Sequence, residues 1–236
     1  FATIYSLTVS CASAPRVFFK EYVDTKSKSI SLQQKKIFSF VEAGVYFSNN
    51  FDGARLNSVN KLNDSTYVML ILPENEPINP SPFYAFKIWG SSPKEVLLRF
   101  KYSKDYKHRY IPKIKLDGTW TVADSLAFQF DENFSSLKLK INEIPKIVSG
   151  QELHASSDVY IWVDQLIQGK ESFVRSKIIG KTKLKQPFRV LDIYKGSPKD
   201  KPVLVLLTRQ HPPEVTGYFA FQAFLSTILK ENELTK

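Results

Sequence analysis

Residues 202–225 read PVLVLLTRQHPPEVTGYFAFQAFL, and this stretch decides the expected fold of the second half of the chain. Its first part, residues 202–207, contains proline, valine and leucine without alternating polar residues. Such a continuous run is typical of a strand that is buried on both faces of a sheet covered by helices. Residues 215–228 repeat apolar side chains at helical spacing and predict a helix. The two segments together predict an α/β unit.

A polar segment, TRQHPPE (residues 208–214), joins the predicted strand to the predicted helix. In an open α/β sheet, a ligand site is expected at the carboxyl end of a central strand. His211 and Glu214 are three residues apart, so a turn at the start of the helix can direct both side chains to one side. An imidazole nitrogen and a carboxylate oxygen are ligands that a catalytic zinc takes from proteins. His211 and Glu214 are therefore candidate metal ligands, although their spacing alone is common in proteins.

The sequence upstream of this unit is typical of β-structure. Short apolar or aromatic runs are separated by turn signals such as Asp52-Gly53 and Asp117-Gly118. Many short strands without a helical stretch among them predict a β-sandwich, whose aromatic side chains would fill the space between two sheets. The predicted strands include residues 45–47, 66–72, 84–89, 96–102, 120–122, 126–130 and 137–141.

The pattern changes near Pro145. Residues 156–158 (Ser-Ser-Asp) can cap a helix that ends before Gly169, and strands are expected near residues 176–179 and at residues 187–193. The sequence thus predicts an α+β protein of two domains. Residues 1–36 are expected to be the remnant of a signal peptide and a linker, residues 37–145 an antiparallel β-sandwich, and residues 146–236 the beginning of an α/β domain with a mixed sheet and flanking helices.

The first residues are apolar and uncharged, and small residues follow them, as at the end of a secretory signal. The stretch LTVSC, which ends at Cys11, also resembles a bacterial lipobox, in which the cysteine is lipidated and anchors the protein to a membrane. We therefore expect an exported bacterial protein, periplasmic or associated with the cell envelope. The alternative is a buried first strand with an ordinary reduced cysteine.

Composition excludes several classes of protein. With 43% hydrophobic and 14% aromatic residues, the chain is neither a disordered tail nor a collagen-like repeat nor a coiled coil. A single cysteine excludes an intramolecular disulfide and a zinc site made of several cysteines. The net charge is +10. Many of the basic residues lie in the predicted sandwich, at Lys94, Arg99, Lys101, Lys104, Lys107, Arg109, Lys113 and Lys115.

These basic residues leave a nucleic-acid interpretation open. Tyr102, Tyr106 and Tyr110 alternate with them, and a combination of cations and aromatic rings suits phosphate binding and base stacking. Basic residues at every second position of a sandwich strand are, however, typical of its solvated face. Nucleic-acid binding therefore ranks third among the three functions that the sequence leaves open.

The segment around His211 resembles the first zinc-ligand segment of the carboxypeptidase A-type zinc peptidases. It is most similar to the branch that includes the cytosolic-type carboxypeptidases, whose motif reads His-Pro-x-Glu, as residues 211–214 do here. Residues 179–193 also resemble that family's I-G-x-S … R-P-I segment, with Thr182 in place of serine and Gln186 in place of arginine. The resemblance covers about residues 150–236, and the upstream sandwich, with NFDGA at residues 50–54, resembles the domain that precedes the catalytic domain in that branch.

The resemblance implies one zinc ion held by three protein ligands, of which this chain supplies His211 and Glu214. The third ligand, a histidine, lies well downstream in the family, as does the arginine that binds the substrate carboxylate. The general base, a glutamate, is likewise expected beyond Lys236. No histidine or arginine follows Glu214 here, so the chain resembles an enzyme truncated within its catalytic domain, and we expect it to be inactive alone. Pro213 stands at the position where digestive members of the family have an arginine. The role of that arginine therefore cannot be assigned to a residue of this chain.

The remaining candidates are Arg209, His108 and His154. Arg209 matches an arginine often present in the cytosolic-type branch, and it could stabilise developing negative charge; the alternative is an ordinary ion pair. His108 and His154 match no ligand position of the family, and we interpret both as surface or hydrogen-bonding residues.

The resemblance thus implies a metallocarboxypeptidase that removes C-terminal residues from peptides. Two alternatives stay open at this point. One is a non-catalytic sandwich that binds a protein or a glycan and is joined to a degenerate peptidase portion. The other is the nucleic-acid binder described above. The sequence leaves the oligomeric state undetermined.

Overall fold

The computed structural model describes residues 30–73, 81–103, 106–130 and 135–230. The predictions for residues 1–29, including lipidation of Cys11, lie outside the described residues. The strands are β1 (Ile37–Phe40), β2 (Val45–Ser48), β3 (Ser58–Asn63), β4 (Thr66–Ile71), β5 (Ala85–Gly90), β6 (Lys94–Tyr102), β7 (Lys113–Leu116), β8 (Thr119–Val122), β9 (Phe128–Phe130), β10 (Ser135–Ile141), β11 (Lys146–Ser149), β12 (Val174–Lys181) and β13 (Pro187–Ile193), and the helices are α1 (Ser156–Ile167) and α2 (Val215–Ile228).

The first eleven strands form two sheets. One sheet has six strands in the order β1-β2-β5-β11-β7-β8, and the other has five in the order β3-β4-β6-β10-β9. Neighbouring strands are antiparallel except β4 and β6, which run parallel with Tyr67 opposite Leu98. The prediction of a purely antiparallel arrangement was therefore wrong at this pair. The reason is that β5, which lies between β4 and β6 in the chain, belongs to the six-stranded sheet, so the chain returns to the five-stranded sheet in its original direction.

Side chains from both sheets meet in one hydrophobic core. Every second residue of β10 is buried, whereas Lys138 and Lys140 between them are exposed, as the two-residue period of a strand requires. The six-stranded sheet contributes Phe47 to the core, and the five-stranded sheet contributes Tyr67, with ring centroids 5.3 Å apart. Aromatic residues from both sheets thus lie in this core, as predicted for side chains that fill the space between two sheets.

The molecule is mostly β with few helices, as the sequence predicted in outline. The division into two domains at residue 146 stays a prediction. β11, which follows that point, is hydrogen-bonded into the six-stranded sheet between β5 and β7. The strands of this region therefore continue to Ser149, a few residues beyond the predicted boundary.

The second half of the chain contains α1, the hairpin β12–β13 and α2. Both helices pack on the hairpin around Val174, Leu225 and Leu229, with Trp162 and Leu191 among the neighbouring side chains. The predicted helix at residues 215–228 is confirmed as α2. The described residues form these two helices. Neither helix is long and apolar enough to span a membrane.

Residues 203–207 differ from the prediction of a buried strand. They form no strand, and their apolar side chains are between 43% and 85% exposed. A strand needs a hydrogen-bonded neighbour, and within the described residues β12 and β13 pair with each other and with no third strand. The predicted mixed sheet is accordingly a two-stranded antiparallel hairpin in this part of the chain. The apolar run has the composition of a central strand, but none of the strands in the described ranges pairs with it.

We predict that these exposed residues cause self-association, because apolar segments with unpaired backbone groups pair with other chains. Val205→Lys should shift the chain towards monomer, as measured by sedimentation velocity over a series of concentrations. Leu126→Lys is the matched control, since Leu126 is also strongly exposed but lies in the loop between β8 and β9. The same association state for the wild type and Val205→Lys would contradict this prediction.

His108 is buried in the first core, with 6% of its surface exposed, so the interpretation as a surface residue was wrong. The interpretation as a hydrogen-bonding residue is confirmed: Nε2 contacts the backbone oxygen of Tyr110, and Nδ1 lies 3.0 Å from the Tyr102 hydroxyl. A carbonyl oxygen can only accept, so Nε2 bears the proton and Nδ1 accepts from Tyr102. Burial lowers the pKa of His108 to about 4, and the backbone contact with Tyr110 only partly opposes this effect.

This pKa predicts acid sensitivity. Above pH 6.5 the imidazole is neutral in both the folded and the unfolded state, whereas between pH 6.5 and about 4 only the unfolded state binds the proton. The free energy of unfolding should therefore decrease as the pH falls through this window, by about 1.4 kcal/mol per pH unit and about 3 kcal/mol in total. Urea unfolding of the wild type and His108→Gln at a series of pH values measures the difference. Equal pH dependence in the two proteins would refute the prediction.

Candidate functional site

The segment that precedes α2 is a tight turn. Arg209, at its start, has a φ of 48°, in the left-handed region that residues with a side chain rarely adopt. The backbone N–H of Glu214 donates to the carbonyl of His211 over 3.2 Å, and α2 begins at the next residue. Pro212 and Pro213 lie between these two residues and restrict the backbone of the turn. The turn thus places residues 211 and 214 on one short loop of fixed shape.

The side chains of His211 and Glu214 converge. His211 Nδ1 lies 2.5 Å from one carboxylate oxygen of Glu214, and the backbone N–H of His211 donates to the other oxygen over 3.1 Å. These hydrogen bonds, first that of the imidazole and then that of the backbone, lower the pKa of Glu214. The carboxylate is therefore ionised at neutral pH, which is the form that binds metals. Both side chains are about half exposed, at 50% and 47%.

The His211 imidazole and the Glu214 carboxylate are suitable zinc ligands, and the distance between them is close to the distance between two ligands of a zinc ion. Tetrahedral ligands at about 2.0–2.2 Å from the metal are about 3.4 Å apart, so the imidazole and the carboxylate would separate by about 1 Å to admit the ion. Their exposure leaves them room for this movement. Within the described ranges, no group of three or more His, Cys, Asp or Glu side chains could hold a metal ion. The described residues thus provide two ligands of a candidate centre.

The general base predicted from the sequence is not among these residues. Its expected position lies beyond Lys236, and Lys236 itself lies outside the described residues, which end at residue 230. The structure therefore places His211, Glu214 and Arg209 of the predicted site, while the position of the general base stays a prediction.

Neither of the other histidines joins the two candidate ligands. His108 lies in the core between the first two sheets. His154 lies just before α1, with its ring centroid 5.0 Å from that of Tyr218 and 5.3 Å from that of Phe219. Burial lowers the pKa of His154, and the nearby charge of Arg209 lowers it further. His154 is thus a half-buried packing residue beside the turn.

Arg209 contacts its own chain. Its guanidinium donates to the backbone oxygen of His154 and, over 3.3 Å, to that of Pro212, and it lies 5.8 Å from the ring centroid of Tyr218. Sequence analysis assigned Arg209 to an ion pair or to charge stabilisation, and it did not single out Tyr218. The signal for Tyr218 was its place in the first turn of α2, where a buried residue faces the preceding loop.

An open depression of about 460 Å³ lies beside the turn. Thr208, Gln210, Glu214, Gly217 and Phe221 are among the residues that line it. The wall is partly polar and partly apolar, and Glu214 is its acidic residue, with Arg209 its basic one. The depression therefore lies next to one of the two candidate metal ligands, Glu214, while His211 is not among its lining residues.

Comparison with solved structures identifies the fold. The chain is similar to a metallo-carboxypeptidase from Burkholderia cenocepacia, with a TM-score of 0.66, 13% sequence identity and coverage of 80% of this chain and 50% of that chain. It is also similar to a metallo-carboxypeptidase from Pseudomonas aeruginosa in complex with (2-guanidinoethylmercapto)succinic acid, with a TM-score of 0.63, 14% identity and coverage of 80% and 50%. The chain therefore has a carboxypeptidase-like fold.

The chain spans about half the length of these structural neighbours. No protein-family model and no curated protein matches its sequence. At such low identity the similarity concerns the fold, so the chemistry of the site depends on the residues of the turn themselves.

Proposed function

We propose that the chain is part of a zinc metallocarboxypeptidase in which His211 and Glu214 bind the metal. The observation that supports this function is the convergence of the His211 imidazole and the ionised Glu214 carboxylate on the turn before α2. The carboxypeptidase-like fold makes hydrolysis of a C-terminal peptide bond the reaction to test first. The closer relationship to the cytosolic-type branch rests on the His-Pro-x-Glu motif and belongs to the same proposal.

In this proposal the residues of the turn bind and orient the metal. Zinc, when bound, supplies a Lewis acid that polarises a peptide carbonyl and activates water at neutral pH. His211 would hold the ion through Nδ1, the nitrogen that faces Glu214, and the Glu214 carboxylate would supply negative charge that partly neutralises it. Glu214 also borders the open depression, which makes this depression the candidate place for a peptide substrate. The substrate class that we propose from the carboxypeptidase-like fold and the motif is a peptide with a free C-terminal carboxylate.

Two ligands do not complete a catalytic zinc site, which usually has three protein ligands and an open position. We expect the third ligand to be a residue outside the described ranges. We expect the general base to be a residue beyond Lys236. We accordingly expect the 236-residue chain to bind zinc without hydrolysing peptides. Export to the cell envelope and anchoring through Cys11 remain proposals from the sequence.

Zinc titration tests the proposed centre. We expect the chain to bind one zinc ion, and His211→Ala and Glu214→Gln each to weaken binding about tenfold or more, because each removes one of two ligands. Isothermal titration calorimetry measures the affinity in a Cys11→Ser background, so that the thiol does not contribute. Glu42→Gln is the matched control, since Glu42 is an exposed carboxylate in the sandwich region.

Equal zinc affinity of the wild type, His211→Ala and Glu42→Gln would overturn the assignment. Wild-type zinc affinity in Glu214→Gln, together with weaker binding in His211→Ala, would show that Glu214 is not a zinc ligand.

A further inference from the structure

We infer that Arg209 is a positioning residue, which holds the His211–Glu214 turn against the segment that precedes α1. This inference rests on the proposed metal centre and assigns Arg209 a role other than charge stabilisation. It depends on three features of the structure: the backbone conformation of Arg209, the contacts of its guanidinium, and the rigidity of the groups that it contacts.

The backbone of Arg209 is in an unfavourable conformation. With a φ of 48°, its side chain approaches its own backbone more closely than in the usual regions. Residues persist in this conformation where the surrounding structure determines it. Arg209 lies between the exposed apolar run and α2, so its conformation contributes to the shape of the turn that leads into the helix.

The guanidinium connects two distant parts of the chain. It donates to the backbone oxygen of His154, 55 residues earlier in the sequence, and to that of Pro212, three residues later. It also lies near the face of the Tyr218 ring. A planar group with several N–H donors can reach two carbonyl oxygens and an aromatic ring at once, which the single ammonium of a lysine cannot reproduce.

The groups that Arg209 contacts are themselves fixed. Tyr218 is buried, its hydroxyl accepts a hydrogen bond from Gln222 over 3.0 Å, and its ring lies 6.3 Å from that of Trp162 in α1. The ring of His154 packs on Tyr218 at 5.0 Å. Arg209 is therefore anchored to α2 through Tyr218 and to the segment before α1 through the backbone of His154.

This anchoring acts on the candidate ligands through the backbone. Pro212 lies directly between His211 and Pro213, so a hydrogen bond to its carbonyl restrains the peptide unit that separates the two ligands. With the turn held, the imidazole and the carboxylate face each other before a metal arrives, and less entropy is lost on binding. The contacts of the guanidinium are with carbonyl oxygens and an aromatic ring, which is the pattern of a positioning group.

Two variants separate the guanidinium group from its charge. Arg209→Asn removes the guanidinium but retains a residue that tolerates a positive φ, and Arg209→Lys retains the charge. The matched control is Arg175→Asn, because Arg175 also lies over a tyrosine ring, 5.2 Å from Tyr194, but on the hairpin. The zinc affinity of each is measured by calorimetry, and the geometry of the centre by the visible absorption of bound cobalt(II).

We expect Arg209→Asn to weaken zinc binding about tenfold and to change the cobalt spectrum, as loss of a group that orients ligands does. Arg209→Lys should restore only part of the affinity, and Arg175→Asn should behave as the wild type. If Arg209→Asn binds zinc with wild-type affinity while His211→Ala loses binding, the positioning role of Arg209 is wrong and the assignment of the metal ligands is still supported. Full restoration by lysine would also overturn it, since charge would then suffice.

A measurement without metal keeps the two proposals distinguishable. Amide hydrogen exchange of His211 and Glu214 should be faster in Arg209→Asn than in the wild type, while exchange in α1 stays unchanged, because both amides donate within the turn. Unchanged exchange at these two amides would overturn the positioning role whether or not the chain binds zinc. Faster exchange in a chain that binds no zinc would support it while the metal assignment fails.

Discussion

The hydrogen bond between the His211 imidazole and the Glu214 carboxylate is the interaction on which the functional account depends. It brings together two side chains that suit a divalent metal, on a turn closed by a backbone hydrogen bond between the same two residues. The bond also keeps the carboxylate ionised, since it lowers the pKa of Glu214. Without this convergence the chain would show a carboxypeptidase-like fold but no candidate for its chemistry.

Contacts with other parts of the structure hold this turn in position. The two large sheets share an aromatic core, and the connection from β11 to α1 is tied to them by the ion pair between Glu152 and Lys113, whose atoms lie 2.5 Å apart. His154 follows Glu152 closely and accepts the hydrogen bond of Arg209. A continuous set of contacts therefore runs from the first core to the turn, so the position of the candidate ligands depends on strands far from them in the sequence.

Local patterns predicted much of this structure, and long-range pairing explains what they missed. The two-residue period of β10 and the helical spacing of α2 are local properties, and both elements lie where the sequence indicated. Residues 203–207 have the apolar composition of a central strand, but composition does not specify a hydrogen-bonded neighbour, and none lies beside them among the described residues. The contact of Arg209 with His154 spans 55 residues and left no signal in either segment.

The most direct test of the account is anomalous scattering at the zinc absorption edge from crystals of the zinc-bound chain. We predict one strong peak within about 2.0–2.2 Å of both His211 Nδ1 and a Glu214 carboxylate oxygen. A map in which zinc lies elsewhere, while the imidazole and carboxylate remain hydrogen-bonded to each other, would contradict the central claim.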